Sequence, residues 1–195
     1  MSGRPPRRET ANVVLGILLL ARFDRTGLRQ FGATAQSFLA SLAPLLAFPL
    51  VGGLLLLAEG QAMRAALDLF AAACALLAPA VLSHALAAAW SREAEWLRYA
   101  TAFNWCQWAI PIAATGLVLL LAMLTGLGLS DRSAAMIAVA ALVCYGLSLH
   151  WFVARHGLAL PPLRAGVLVV GVNFGTAALL LAPRLLAWSV GAAAF

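Results

Sequence analysis

The sequence predicts an all-α, polytopic membrane helix bundle, about five transmembrane helices plus an N-terminal interfacial helix. Three observations carry that expectation. Of 195 residues, 64% are hydrophobic and 10% charged, against about 25% charged in an ordinary soluble domain, so too few polar side chains exist to cover a water-facing surface. The apolar residues fall in blocks long enough to span a bilayer, about 20 residues each. The net charge of +6 is carried by arginine alone, and the arginines sit at the ends of the apolar blocks, where they meet lipid headgroups. A nucleic-acid binder gathers its charge on one continuous patch instead. Heavy use of Ala, Leu and Arg points to a high-GC bacterial genome.

Residues 1–10 are polar, with Arg4, Arg7 and Arg8 around Pro5 and Pro6, and read as a disordered cytoplasmic arm. The apolar run Ala11 to Ala21 that follows reaches only about 16 Å as a helix, half a bilayer. It ends directly in Arg22, with Arg25 and Arg29 close behind, and the small-x-small site Ala33-Thr34-Ala35 lies far beyond it. These features favour an interfacial helix pinned by arginines over a cleaved signal segment. Residues 1–36 therefore form a basic cytoplasmic segment, and residues 37–195 the five-helix transmembrane domain.

The first spanning block is Ser37 to Ala58, kinked by Pro44 and Pro49. The second, Ala65 to Trp90, carries Asp68 near its start and Pro79 midway. Residues 91–98 read as a charged loop. The third block runs from about Phe103 to Leu127 with Pro111 inside it, and the fourth from about Ala134 to Ala154. Arg155-His156-Gly157 and Pro161-Pro162 end the fourth, and Ala165 to Ala182 is the fifth. After Pro183-Arg184, residues 185–195 are an apolar tail around Trp188, which either lies in the far interface or lengthens the fifth helix.

With the N-terminus inside, ten arginines (Arg4, Arg7, Arg8, Arg22, Arg25, Arg29, Arg92, Arg98, Arg155, Arg164) fall on the inner side and three (Arg64, Arg132, Arg184) outside. That asymmetry predicts a cytoplasmic N-terminus and an external C-terminus in a bacterial inner membrane. Five of the six tryptophans (Trp90, Trp96, Trp105, Trp108, Trp151) fall at the inner interface, where indole rings settle.

Polar residues inside spanning blocks are costly, so each poses a functional question. Ser83 and His84, Asn104 and Gln107, and Ser148 and His150 lie at one depth on three helices. Two readings are open: a cytoplasm-facing polar cavity lined by His84, Asn104, Gln107 and His150, or ordinary hydrogen bonding between helices. Gly171-Val172-Asn173-Phe174-Gly175 is a small-xxx-small motif, with Gly171, Asn173 and Gly175 as helix-packing candidates within the bundle or at a dimer seam. Arg64 and Asp68 are four apart and spaced to pair. Cys74, Cys106 and Cys144 lie singly in three blocks and read as buried thiols that pack as small hydrophobes. No phosphate loop, zinc motif or nucleophile elbow is present, so no catalytic residue, cofactor or metal is expected.

The opening Gly16-Ile17-Leu18-Leu19-Leu20-Ala21-Arg22-Phe23-Asp24, the stretch Phe31 to Pro49 and the pair Asn104-Trp105 resemble bacterial Yip1-type membrane proteins. The resemblance covers most of residues 15–185. It implies a basic amphipathic start, five helices ending outside and a role in membrane trafficking or shaping, and it brings no active-site residue. The expected function is a non-enzymatic scaffold or accessory subunit that contacts membrane lipids and other membrane proteins, possible self-association included, and no nucleic acid. The alternative is a small oligomeric transporter or channel-like protein using the polar cavity.

Overall fold

The computed structural model describes the backbone of residues 12–192 and the side chains of residues 12–181. The expected polar arm at residues 1–10 lies outside the described residues. Between those limits the chain is all-α, with no strand.

Helix α1 spans Val13–Ala21, and the Asn12 side chain caps it by accepting the Leu15 N–H at 3.0 Å. The chain then reverses into a 3-10 turn, Arg25–Gln30. Asp24 caps that turn, accepting the Thr26 N–H at 2.9 Å and its hydroxyl at 2.7 Å. Thr26's backbone donor, then its hydroxyl, hold the exposed Asp24 carboxyl below the usual carboxylate range. Helices α2 (Ala35–Ala58), α3 (Ala62–Ala89), α4 (Glu93–Cys106), α5 (Ala109–Thr125), α6 (Asp131–Gly157) and α7 (Pro162–Ala192) follow. They provide five helices long and apolar enough to cross a membrane, α4 and α5 together counting as one. The backbone of α7 runs through Pro183 and Arg184 to Ala192, so residues 185–192 lengthen the fifth helix, and residues 193–195 lie outside the described residues.

Two boundaries differ from the sequence reading. The expected loop at residues 91–98 is mostly helix, because α4 begins at Glu93. Glu93 and Glu95 lie in its first turn, where acids suit the positive end of the helix dipole. The third span is not one continuous helix. Pro111 has no N–H to give the Gln107 carbonyl, and the chain tightens there, with Gln107 N–H reaching Asn104 O at 3.3 Å and Trp108 N–H reaching Trp105 O at 3.2 Å.

Five helix ends share one capping device. The residue past each end takes a left-handed backbone, and the next N–H reaches back to the helix. At one end of the bundle the left-handed residues are Gly60 (φ 77°) and Gly128 (φ 106°), where glycine meets no steric cost. At the other, arginine-bearing end they are Phe23 (φ 60°), Ser91 (φ 56°) and Ala159 (φ 49°). The returning bonds are Asp24 N–H to Leu19 O at 2.9 Å, Arg92 N–H to Ala87 O at 2.8 Å and Leu160 N–H to Arg155 O at 2.9 Å.

The core sits toward this basic end. Helix α4 is its hub, packed on α1, α2, α3 and α6, while α7 closes against α3 and α6. Beyond the break α5 packs mainly on α6, and Ala109 and Leu121 are its only buried residues. In the other half Leu54, Phe70, Leu120 and Met123 are exposed, as membrane-facing side chains are. Helix α1, expected to lie in the interface, is a core element. Leu20 is 0% exposed and joins Tyr99, Leu149 and Leu168 in one cluster, and the Tyr145 hydroxyl donates to the Ala21 carbonyl at 3.0 Å. Its other face, Val14, Leu15 and Leu18, is exposed. Of the thiols, Cys106 is buried as expected, but Cys74 is half-buried and Cys144 exposed, since a small apolar side chain is as well solvated by lipid as by protein.

Leu20→Ala is expected to lower stability by about 2–5 kcal/mol, read as an earlier midpoint on denaturant titration in micelles. Ala159→Gly is expected to raise it by about 1 kcal/mol by removing a left-handed Cβ, on the same assay.

Candidate functional site: a polar seam between the helices

Helix α6 carries His150 into the core at 5% exposure. Its Nδ1 lies 3.1 Å from Asn173 Nδ2 on α7. The same Nδ2 donates to the Val169 carbonyl at 2.7 Å. A carbonyl only accepts, so the atom beside it is the amide nitrogen, and that nitrogen has protons to give but no lone pair to offer. His150 Nδ1 must therefore accept, and the ring proton resides on Nε2. Nε2 lies 3.0 Å from the hydroxyl of Tyr99 on α4. The Tyr99 oxygen then accepts from His150. On the same helix α4, Trp96 donates its indole N–H to Ser83 Oγ of α3 at 3.1 Å, and Ser83 donates to the Ala80 carbonyl at 3.1 Å. Through Tyr99 and Trp96, both on α4, these bonds tie α7, α6, α4 and α3 together, with both histidine nitrogens occupied.

A second tie joins α4 to α2. Asn104 Nδ2 donates to Ser41 Oγ at 2.9 Å, and Ser41 donates to the Phe38 carbonyl at 2.6 Å. Gln107 stands at the helix break. With His150, Asn173, Phe103 and Gly146 it lines a cavity of 260 Å³, and with Asn104, Pro49 and Pro79 a second of 390 Å³. His84 is not among these groups. It is exposed on the perimeter of α3, its ring edge against Trp96 at 4.8 Å, because Ser83 takes the inward position next to it. The four candidates thus divide: Gln107 and His150 share one cavity, Asn104 joins Gln107 in the other, and His84 lines neither.

Gly171 and Gly175 face α3. A Cβ on Gly175 would stand 2.8 Å from Leu82, and one on Gly171 3.6 Å from Leu86. The motif serves packing inside the bundle, where Gly175 lets the helices close. Arg64 does not pair with Asp68. It donates to Gln61 Oε1 at 3.3 Å, while Asp68 lines a 500 Å³ cavity with Pro49, Gly52 and Gly53. Among the described residues no three His, Cys, Asp or Glu side chains gather as a metal site requires.

Tyr99 and Ser41 complete the ties and are not singled out by the sequence, whereas the sequence places Ser83 at this depth as a candidate for hydrogen bonding between helices. The available signal was that they share a depth with His150 and Asn104; the rotation of each helix was missing. A scan against family models, a search of curated proteins and a search of solved structures found no match to the chain.

The seam supports helix cohesion better than proton transfer, since His150 has no free lone pair to offer a ligand. Tyr99→Phe and Asn173→Leu are each expected to destabilise the bundle by about 0.6–2 kcal/mol. Their double variant should lose less than the sum, because both act through His150; denaturation in micelles of the four members of the cycle reads this.

Proposed function

We propose that the protein is a non-enzymatic scaffold or accessory subunit of a bacterial inner membrane, with its N-terminus cytoplasmic and its C-terminus outside, that contacts lipid and other membrane proteins. The observation that carries this reading is the closed polar seam: the buried His150, Asn104, Ser41, Ser83 and Tyr99 are bonded to one another or to backbone. A membrane enzyme or a proton relay needs such a group free to engage a substrate. The apolar half of α5, packed mainly on α6, offers a face to lipid or to a further helix. The ten-to-three arginine asymmetry supports the orientation. The resemblance to Yip1-type proteins, whose eukaryotic members are implicated in vesicle trafficking and membrane shaping, supports the same reading.

One observation favours the alternative of a small transporter. Gln107 sits at a broken helix between two cavities, the arrangement in which transporters place substrate groups.

Native mass spectrometry of the protein extracted gently from its own membrane separates the two. The scaffold reading expects a reproducible complex with other membrane proteins. A lone monomer or homo-oligomer, together with solute flux in proteoliposomes that Gln107→Leu abolishes without loss of folding, would overturn it.

A further inference from the structure

The reversal between α1 and the 3-10 turn builds a groove that the polar seam does not use. Phe23 is 42% exposed in a left-handed backbone, an expensive conformation for an aromatic residue. It is held there by edge contacts with Tyr145 at 6.0 Å and Phe152 at 5.5 Å. So fixed, its ring forms one wall of a 350 Å³ groove along α6, completed by Leu147, Ser148 and Trp151. The groove wall is apolar except at Ser148. Ser41, Ser83, Thr101, Thr115 and Thr125 each return their hydroxyl to a carbonyl three or four residues back. Ser148, also exposed, makes no such bond among the described residues, so a hydroxyl faces the groove within a spanning helix.

Cationic groups gather at one end of the groove. The Arg155 guanidinium lies over the Trp151 ring at 5.1 Å. His156 stacks on Phe152 at 4.5 Å, and the 3-10 turn that begins at Arg25 packs against α6. The nearby acid, Asp24, is committed to Thr26, and the one ion pair among the described residues is Arg92 with Glu95. Among the described residues, Arg25 and Arg155 thus have no carboxylate within pairing distance.

We propose that this groove binds one anionic glycerophospholipid. The phosphate lies between Arg25 and Arg155, an ester carbonyl accepts from Ser148, and an acyl chain runs along Leu147 between Phe23 and Trp151. Guanidinium forks match phosphate oxygens, and a basic pocket beside spanning helices is where such headgroups are held. The apolar wall beyond the cations distinguishes a lipid from a free phosphate, which would leave that wall unoccupied. The assignment deepens the lipid-contact part of the proposed function and rests on it; the search for protein partners can fail without touching it.

The test uses purified full-length protein reconstituted in phosphatidylcholine vesicles containing a minor fraction of phosphatidylglycerol, released into native mass spectrometry. Wild type is expected to retain one phosphatidylglycerol in preference to phosphatidylcholine. Arg25→Gln with Arg155→Gln should reduce that preference on the order of tenfold or more, with melting in detergent reporting that the fold survives. Ser148→Val leaves both guanidinium groups in place and should also weaken retention, which keeps the proposal testable if the double variant does not fold. Inorganic phosphate added in excess should not displace the lipid. Equal retention of the two lipids, a preference unchanged by the double variant, retention unchanged in Ser148→Val, or displacement by inorganic phosphate would each overturn the assignment.

Discussion

Inside a bilayer a polar side chain without a partner is expensive, and no water stands ready to supply one. That constraint organises this molecule around His150. Asn173 Nδ2 must serve the Val169 carbonyl, so it presents only protons to His150 Nδ1. The remaining ring proton has one place to go, the Tyr99 hydroxyl. Each step fixes the next, and a single amide orientation on α7 sets the direction of hydrogen bonds as far as the Tyr99 hydroxyl on α4. Charging the imidazole would place a proton on Nδ1 against the protons of Asn173. The seam therefore favours a neutral ring and holds four helices in one register.

The apolar architecture is arranged around that seam. The core cluster gathers α1, α4 and the basic ends of α3, α6 and α7, and the break before Pro111 lets α5 leave the hub and follow α6. The basic half is thus closed, and the other half presents Leu54, Phe70 and Leu120 outward. The left-handed caps divide along the same line. Glycine serves at the open end. Phe23, Ser91 and Ala159 serve at the basic end, and edge contacts with Tyr145 and Phe152 hold Phe23 in its unfavourable backbone. At Phe23 the strained position turns its ring onto α6 and forms the groove wall.

The spans and the basic end were legible in the sequence because hydropathy and charge are local properties. Ser37 to Ala58 falls inside α2, and Ala134 to Ala154 inside α6. Where local signals conflicted, the reading missed. Glu93 to Arg98 looked like a loop by charge, although their propensities and dipole favour a helix. Pro111 was legible as an interruption, but not as a full break two residues wide. The site was legible only by depth. His84 and Ser83 share a depth and differ by about 100° in direction, so one faces the perimeter and the other Trp96 and Tyr99. Rotation about each helix axis depends on its neighbours, and a single sequence does not carry it.

The most direct measurement of the central claim is the nitrogen-15 spectrum of His150 in the protein reconstituted in lipid at neutral pH. The account predicts a neutral ring with Nδ1 bare and Nε2 protonated, and slow exchange of that proton with water because it is enclosed between Tyr99 and the core. A cationic ring, a proton on Nδ1, or rapid exchange with solvent would contradict the account. Any of these would mean that His150 faces a wet path rather than holding the bundle together.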